Sequence, residues 1–394
     1  YEMTSSLVGS EMCIRDRKIV YCNPALHVSG GGERVLTVKA NYFAEKLGYE
    51  IHIVTTDGGK YPPFFTLHPS VKVHQLNINY DDYFSPCRRV WEFFHKRYLH
   101  KKRLNRCLNK IKPDITVIMT RREVGFIASM TDGSVKIAEN HVDKSRYMDS
   151  MNPHLSKFLP MWLKRRYREN IIASLSKLDK FILLTHEDEK AWTELHNLAV
   201  IPNPLTIIPD GVSRCENKRV IAVGRYEHQK GFDLLLKAWK EVANTHKDWT
   251  MHIYGEGILR ENLQKQLISL GLEDSCFLEH HTLQIGECFK TSSLFVLSSR
   301  FEGWGLVIVE AMAYGLPVVS FACPCGPKEI IVDGVDGFLV EPQNIKELAC
   351  KISYVIENEE IRKTMGYQAS VNVHRYDIER IVPRWVQLFE ELTI

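Results

Sequence analysis

The sequence predicts an α/β protein made of two doubly wound parallel sheets. Three observations carry this expectation. Apolar runs of strand length alternate with amphipathic runs of helix length along the whole chain. Strand-helix alternation of this kind argues a parallel sheet covered on both faces. A polar stretch rich in proline interrupts the alternation near the middle, after which it begins again. A chain of 394 residues also exceeds what one core usually holds.

In the first half, strands are expected at Lys18–Cys22, Glu50–Thr55, Val71–Leu76, Asp114–Met119, Val135–Glu139 and Phe181–Thr185. A glycine-rich turn, HVSGGGE, leads to a helix from Arg34 to Leu47 that Gly48 ends. Tyr80 to Lys112 reads as mostly helical and basic. Val200 to Lys218 is the linker candidate. The second half gives strands at Arg219–Val223, Thr250–Tyr254, Phe277–Leu278, Leu294–Ser298, Pro317–Phe321 and Gly337–Val340. Its helices fall at Gly231–Asn244, Ile258–Leu270 and Leu306–Tyr314, and an amphipathic run closes the chain at Pro383–Leu392. The division expected is therefore residues 18–200 and 201–377, with 378–394 as a final helix.

Composition excludes several classes. A hydrophobic fraction of 44% with 25% charged residues is that of an ordinary globular protein, and no apolar run is long enough to cross a bilayer. Ten cysteines are scattered, and only Cys323-Pro324-Cys325 forms a close pair. Reduced thiols are the favoured reading there, with zinc or redox chemistry as the other. Residues 1–17 lack the apolar core of a secretory signal. The string SSLVGSEMCIRDR resembles adapter-derived read-through, so a non-native leader is expected, with the fold starting near Lys18.

The most informative stretch is SSRFEGWGLVIVEAMAYGLPVVS, from Ser298 to Ser320. Glu302 and Glu310 stand with seven residues between them, Gly303-Trp304-Gly305 allows a tight turn, and a helix begins at Leu306. A strand, a glycine loop and a helix N-terminus make a phosphate site. A carboxylate on each side can accept hydrogen bonds from sugar hydroxyls, so a nucleotide-sugar fits. A second cluster supports it: Arg225 and Lys230 follow the strand that ends at Val223, and both cations can reach one diphosphate.

This segment resembles the signature of the retaining glycosyltransferases of group 1 (family 4), which have the two-domain GT-B fold. The resemblance covers nearly all of Lys18 to Leu392 and is stronger in the second half. It implies that Glu310 holds the ribose of the nucleotide and Glu302 the transferred sugar, with the amides around Gly303, Trp304, Gly305 and Leu306 meeting the diphosphate. It implies that Arg225 and Lys230 stabilise the departing diphosphate, and that His141, after the strand ending in Glu139, lines the reaction centre. Gly31 and Gly32 match the glycine loop of the first domain, and Gly255 and Gly257 a loop near the nucleotide; a simple turn reads almost as well for both. Glu279-His280-His281 replaces the glycine-rich step usual in the family, which leaves the choice of base open. The final helix is implied to return to the first domain.

The resemblance also implies the partners: a nucleotide-sugar donor, by family default a UDP-sugar, and a glycan or lipid-linked sugar acceptor of surface polysaccharide synthesis. It implies a place in the cytoplasm or at the cytoplasmic face of the inner membrane. No Asp-x-Asp pair occurs, so no metal and no cofactor are expected. Ten lysines and arginines against Glu92 between Arg88 and Lys112, interleaved with aromatic residues, suit an anionic membrane face. A solvated helix face reads equally well, and no nucleic-acid module is visible. Two other functions fit the same features, a GT-B nucleotide-sugar epimerase and a non-catalytic binding subunit; four intact site residues count against the latter.

Overall fold

The computed structural model describes residues 17–80, 89–119, 122–149 and 160–393. The expected leader lies outside them except for Arg17, as does Arg88. Arg17 is buried and donates to the carbonyl of Phe389 at 2.9 Å and to Thr393 Oγ1 at 2.5 Å.

Two sheets organise the chain. The first has seven strands: β1 (Lys18–Asn23), β2 (Glu50–Thr55), β3 (Lys72–Gln75), β4 (Ile115–Ile118), β5 (Val135–Glu139), β6 (Lys180–Leu183) and β7 (Leu198–Val200). Their order is β3-β2-β1-β4-β5-β6-β7, and β1 to β5 pair in parallel. The second has six: β8 (Arg219–Val223), β9 (Thr250–Tyr254), β10 (Cys276–Glu279), β11 (Leu294–Leu297), β12 (Val318–Phe321) and β13 (Gly337–Val340). They run β10-β9-β8-β11-β12-β13, with every neighbouring pair parallel. The two-sheet α/β fold is as expected.

By contacts the chain divides into two compact units, one of residues up to Glu139 with Arg166–Phe181 and Gln387 onward, the other of Asn140–Arg165 and Ile182–Val386. Within the first unit, Phe389 of the last helix (Ile378–Leu392) lies 5.8 Å from the ring of Phe43. The helix Gly31–Lys46 turns Val35, Leu36, Ala40 and Phe43 inward. It also turns Lys39 inward, whose ammonium meets both oxygens of Glu139 at 2.5 and 2.6 Å. Both side chains are 1% exposed. Burial pulls the Lys39 ammonium below its usual range, and Glu139 opposes that pull.

The second unit is built the same way. The helix Phe232–Thr245 buries Phe232, Leu235, Leu236, Trp239 and Val242, which follow helical spacing, against β8 and β9 residues such as Val220, Met251 and Ile253. Trp239 Nε1 finds the carbonyl of Ser275 at 3.1 Å, so the largest side chain of this core leaves no buried donor unsatisfied. The helix Ile345–Glu357 repeats the pattern with Leu348, Ala349, Ile352, Val355 and Ile356, and Asn344 caps it by accepting from the Glu347 amide at 3.1 Å.

Several boundaries differ from expectation. Gly31 and Gly32 are the first residues of a helix and not a free loop, because Gly30 takes the extended N-cap conformation. The basic helix is Arg89–Ile111, and Tyr80 stands outside it. Of the expected linker only Val200, the last residue of β7, lies in a strand, and residues 201–218 lack regular structure. Helices at Met161–Leu175, Ile345–Glu357 and Glu359–Asn372 were not anticipated.

The Lys39–Glu139 pair gives a test. Lys39→Met alone should cost about 3–5 kcal/mol by stranding a buried carboxylate, and the double variant Lys39→Met/Glu139→Gln should recover most of it. Urea melts of the three proteins measure this; a single variant as stable as wild type would contradict it.

Candidate functional site

In the second sheet the strand order reverses between β8 and β11, and a doubly wound fold binds ligands at the carboxyl ends of strands beside such a reversal. The loops that follow β8 and β11 hold Arg225, Lys230 and Glu302, and they are bound tightly to each other. Gly231 has φ +63, and a side chain there would put Cβ 2.1 Å from the carbonyl of Ser298. Only glycine takes that conformation and that contact without strain. Ser298 Oγ donates to the carbonyl of Lys230 at 2.8 Å, the Arg300 amide to the carbonyl of Gln229 at 2.8 Å, and Gln229 Nε2 to the carbonyl of Phe301 at 3.1 Å. Arg300 adds a two-pronged ion pair to Asp233 at 2.7 and 2.8 Å.

The consequence is a fixed Lys230–Glu302 pair. Lys230 Nζ meets Glu302 Oε1 at 2.8 Å, and Ser299 Oγ donates to the same oxygen at 2.5 Å. The stem of Lys230 lies across Gly224, where any side chain would crowd it. Glu302 is buried, its amide donates to the carbonyl of Pro324 at 3.2 Å, and both held contacts fall on Oε1. Oε2 has no partner among the described residues and keeps contact with solvent. The carboxylate is thus clamped at one oxygen and open at the other, the arrangement that accepts a hydroxyl proton.

Beside it lies a helix N-terminus. Gly305, at φ +92 and ψ +50, opens the helix Leu306–Ala313. The amides of Trp304, Gly305 and Leu306 donate to no acceptor among the described residues. Unsatisfied amides at the positive end of a helix suit an anion. The indole of Trp304 points into the protein and meets the edge of Tyr376 at 5.1 Å. Its carbonyl faces Gly326, where a Cβ would come within 1.8 Å. Glu310, one turn on, is buried and accepts from Thr206 Oγ1 at 3.1 Å.

His141 reaches the same region through its backbone: a Cβ on Gly303 would lie 1.9 Å from the carbonyl of His141. The turn that carries it is braced by Asn140, whose side chain bonds the amide and carbonyl of Val142 and Asp188 Oδ2. Asp188 also accepts from Trp192 Nε1 at 3.2 Å and the Lys144 amide at 3.0 Å. Burial raises the pKa of its carboxyl against these hydrogen bonds.

The structure therefore gathers Lys230, Glu302, Gly303, Trp304, Gly305, Leu306, Glu310 and the backbone of His141 in one unit. The exposed guanidinium of Arg225 bonds Glu227 at 3.1 Å and Gln229 at 3.4 Å. Gly255 and Gly257 pack on the backbone of Gly224 and Tyr226, contacts that account for glycine at both places. Gly31 and Gly32 belong to the first unit. Cys323 and Cys325 are buried, and burial pushes both thiols up, Cys325 to about 12, so neither is a ready thiolate. Sequence reasoning missed Ser299, Thr206, Asn140 and Asp188, which hold the expected residues in place. Ser299 sat inside the signature and could have been found; the others carried no local signal.

Residues 206–371 match the sequence profile of the family described as glycosyl transferases group 1. An uncharacterized glycosyltransferase of Haemophilus influenzae is 29% identical over 367 residues, 91% of this chain and 95% of that one. The Campylobacter jejuni GalNAc-alpha-(1->4)-GalNAc-alpha-(1->3)-diNAcBac-PP-undecaprenol alpha-1,4-N-acetyl-D-galactosaminyltransferase is 25% identical, covering 92% of this chain and 96% of that one. Among solved structures, Anabaena HepE in complex with UDP and glucose superimposes with a TM-score of 0.73 at 20% identity, over 95% of this chain and 100% of that one.

Proposed function

From the premise that this chain is a glycosyltransferase of GT-B fold with a group 1 domain, we propose that it transfers a sugar from a UDP-sugar, with retention of configuration, to a hydroxyl of a lipid-linked surface glycan. The observation that carries the proposal is Glu302, held at Oε1 by Lys230 and Ser299 and open at Oε2, beside the free amides that begin the helix Leu306–Ala313.

In this reading the diphosphate lies on those amides. Glu310 accepts from the ribose hydroxyls, and Oε2 of Glu302 accepts from a hydroxyl of the transferred sugar. Lys230, already within 2.8 Å of Glu302, lies close to both, and Arg225 exchanges Glu227 for a phosphate oxygen. The two cations take up charge as the glycosidic bond breaks, a role in which one donor is worth about 3 kcal/mol. The acceptor hydroxyl attacks from the face the diphosphate leaves, and a phosphate oxygen takes its proton. His141 lines the sugar pocket. The cations do the work that a metal does in other transferases, so the reading needs no metal and no cofactor.

The donor and acceptor classes are supported by likeness: HepE is in complex with UDP, and the Campylobacter relative acts on an undecaprenol-linked glycan. The reading also places the protein at a membrane face. No helix among the described residues is long and apolar enough to cross a membrane. The helix Arg89–Ile111 instead exposes Trp91, Phe94 and Tyr98 at helical spacing, among lysines and arginines. These features support the reading of a polysaccharide role at the cytoplasmic face of a membrane.

Glu310→Ala should weaken UDP-sugar binding at least tenfold, and Lys230→Ala should lower turnover by about two orders of magnitude with a smaller effect on binding. Calorimetry and nucleotide release measure the two. Wild-type behaviour in both variants would remove the site. The protein should float with vesicles containing phosphatidylglycerol and less with neutral ones, and Trp91→Ser/Phe94→Ser should float less. Equal recovery with both vesicle types, or none with either, would remove the membrane face.

A further inference from the structure

Four of the cations around the site have a carboxylate partner. Lys230 has Glu302, Arg225 has Glu227, Arg300 has Asp233 and Lys328 has Glu187. Arg146 has none among the described residues: its guanidinium meets neither a carboxylate nor a hydrogen-bond acceptor, and only its backbone amide is engaged, donating to Asp143 Oδ1 at 3.2 Å.

An exposed arginine without a partner is ordinary when its side chain is free to wander. This one is held. Its guanidinium carbon lies 3.7 Å from the centre of the Phe301 ring, a stacking distance. Phe301 is itself fixed, because its carbonyl accepts from Gln229 and its neighbour Arg300 is paired to Asp233. The next residue is Glu302, with its open Oε2. Stacking uses the face of the guanidinium and leaves the N–H groups of its edge free, which is the geometry that forks onto a phosphate or carboxylate.

We propose that Arg146 is a substrate-binding residue that forks onto an anionic group, a phosphate or a carboxylate, of a substrate whose hydroxyl meets Glu302. The proposal rests on the donor reading given above and adds a recognition element to it. The anion has two sources, the diphosphate of the donor or a charged group on the acceptor. Phe301 is the platform that fixes the fork, so its ring acts as a positioning group.

The test uses Arg146→Ala, Arg146→Lys and Phe301→Leu in the full chain, with UDP and inorganic phosphate as probes read by calorimetry. The unliganded Arg146 variants should melt like wild type, since that side chain is exposed. A loss of UDP affinity of about tenfold or more in Arg146→Ala, with Arg146→Lys and Phe301→Leu intermediate, supports the proposal and assigns the anion to the donor. Unchanged UDP affinity, with millimolar phosphate binding to the UDP-saturated wild type and not to Arg146→Ala, supports it and assigns the anion to the acceptor. Arg146→Ala that treats both probes as wild type does overturns it. Glu310→Ala separates the two claims: loss of UDP there, with Arg146→Ala unchanged toward both UDP and phosphate, sinks this inference and leaves the donor site standing.

Discussion

The site depends on the contact between two loops, the one after β8 and the one after β11. Their backbones touch at Gly231 and Ser298 with no room for a side chain, and three hydrogen bonds between residues 229–231 and 298–301 fasten them. That contact brings Lys230 to Glu302, and with it a cation to a carboxylate that would otherwise be buried alone. Such a carboxylate would be strongly disfavoured. Paired at Oε1 by both Lys230 and Ser299, it is kept in place with its second oxygen turned to solvent. A preorganised group of this kind does not have to be reoriented when substrate arrives, which is the usual source of catalytic advantage.

The sheet sets where this happens. Strands β8 and β11 are neighbours although many residues separate them in sequence, because the chain crosses from one side of the sheet to the other at that point. Amides left free at the start of the helix Leu306–Ala313 therefore face the same opening as the loop that carries Lys230. The glycines at 231, 303, 305 and 326 serve this packing: each sits where a Cβ would meet backbone or where φ is positive. The signature is thus as much a packing requirement as a chemical one.

Much of this was legible in the sequence. All six strands of the second sheet stood out as short runs bounded by turn residues, and Glu302, Glu310 and Lys230 were singled out through the family resemblance of their segments. What could not be read was non-local. Nothing in the local sequence ties Asn140 to Asp188, Thr206 to Glu310 or Arg146 to Phe301, since each contact joins segments far apart in the chain. Strand β7, only three residues long and followed by proline, is too short for periodicity to register. The helices Ile345–Glu357 and Glu359–Asn372 were overlooked between stronger signals. The exposed pair of Arg225 with Glu227 was equally out of reach of the sequence, which suggested only that Arg225 and Lys230 could reach one anion.

The central claim is that Lys230, Glu302, Glu310 and the free amides make a donor site that works without a metal. Calorimetric titration of the protein in EDTA against UDP-, GDP- and ADP-sugars tests it most directly. The account predicts that one UDP-sugar binds, with an affinity that added magnesium or manganese leaves unchanged. Binding that appears only with the metal, or no binding by any of the donors, would contradict it.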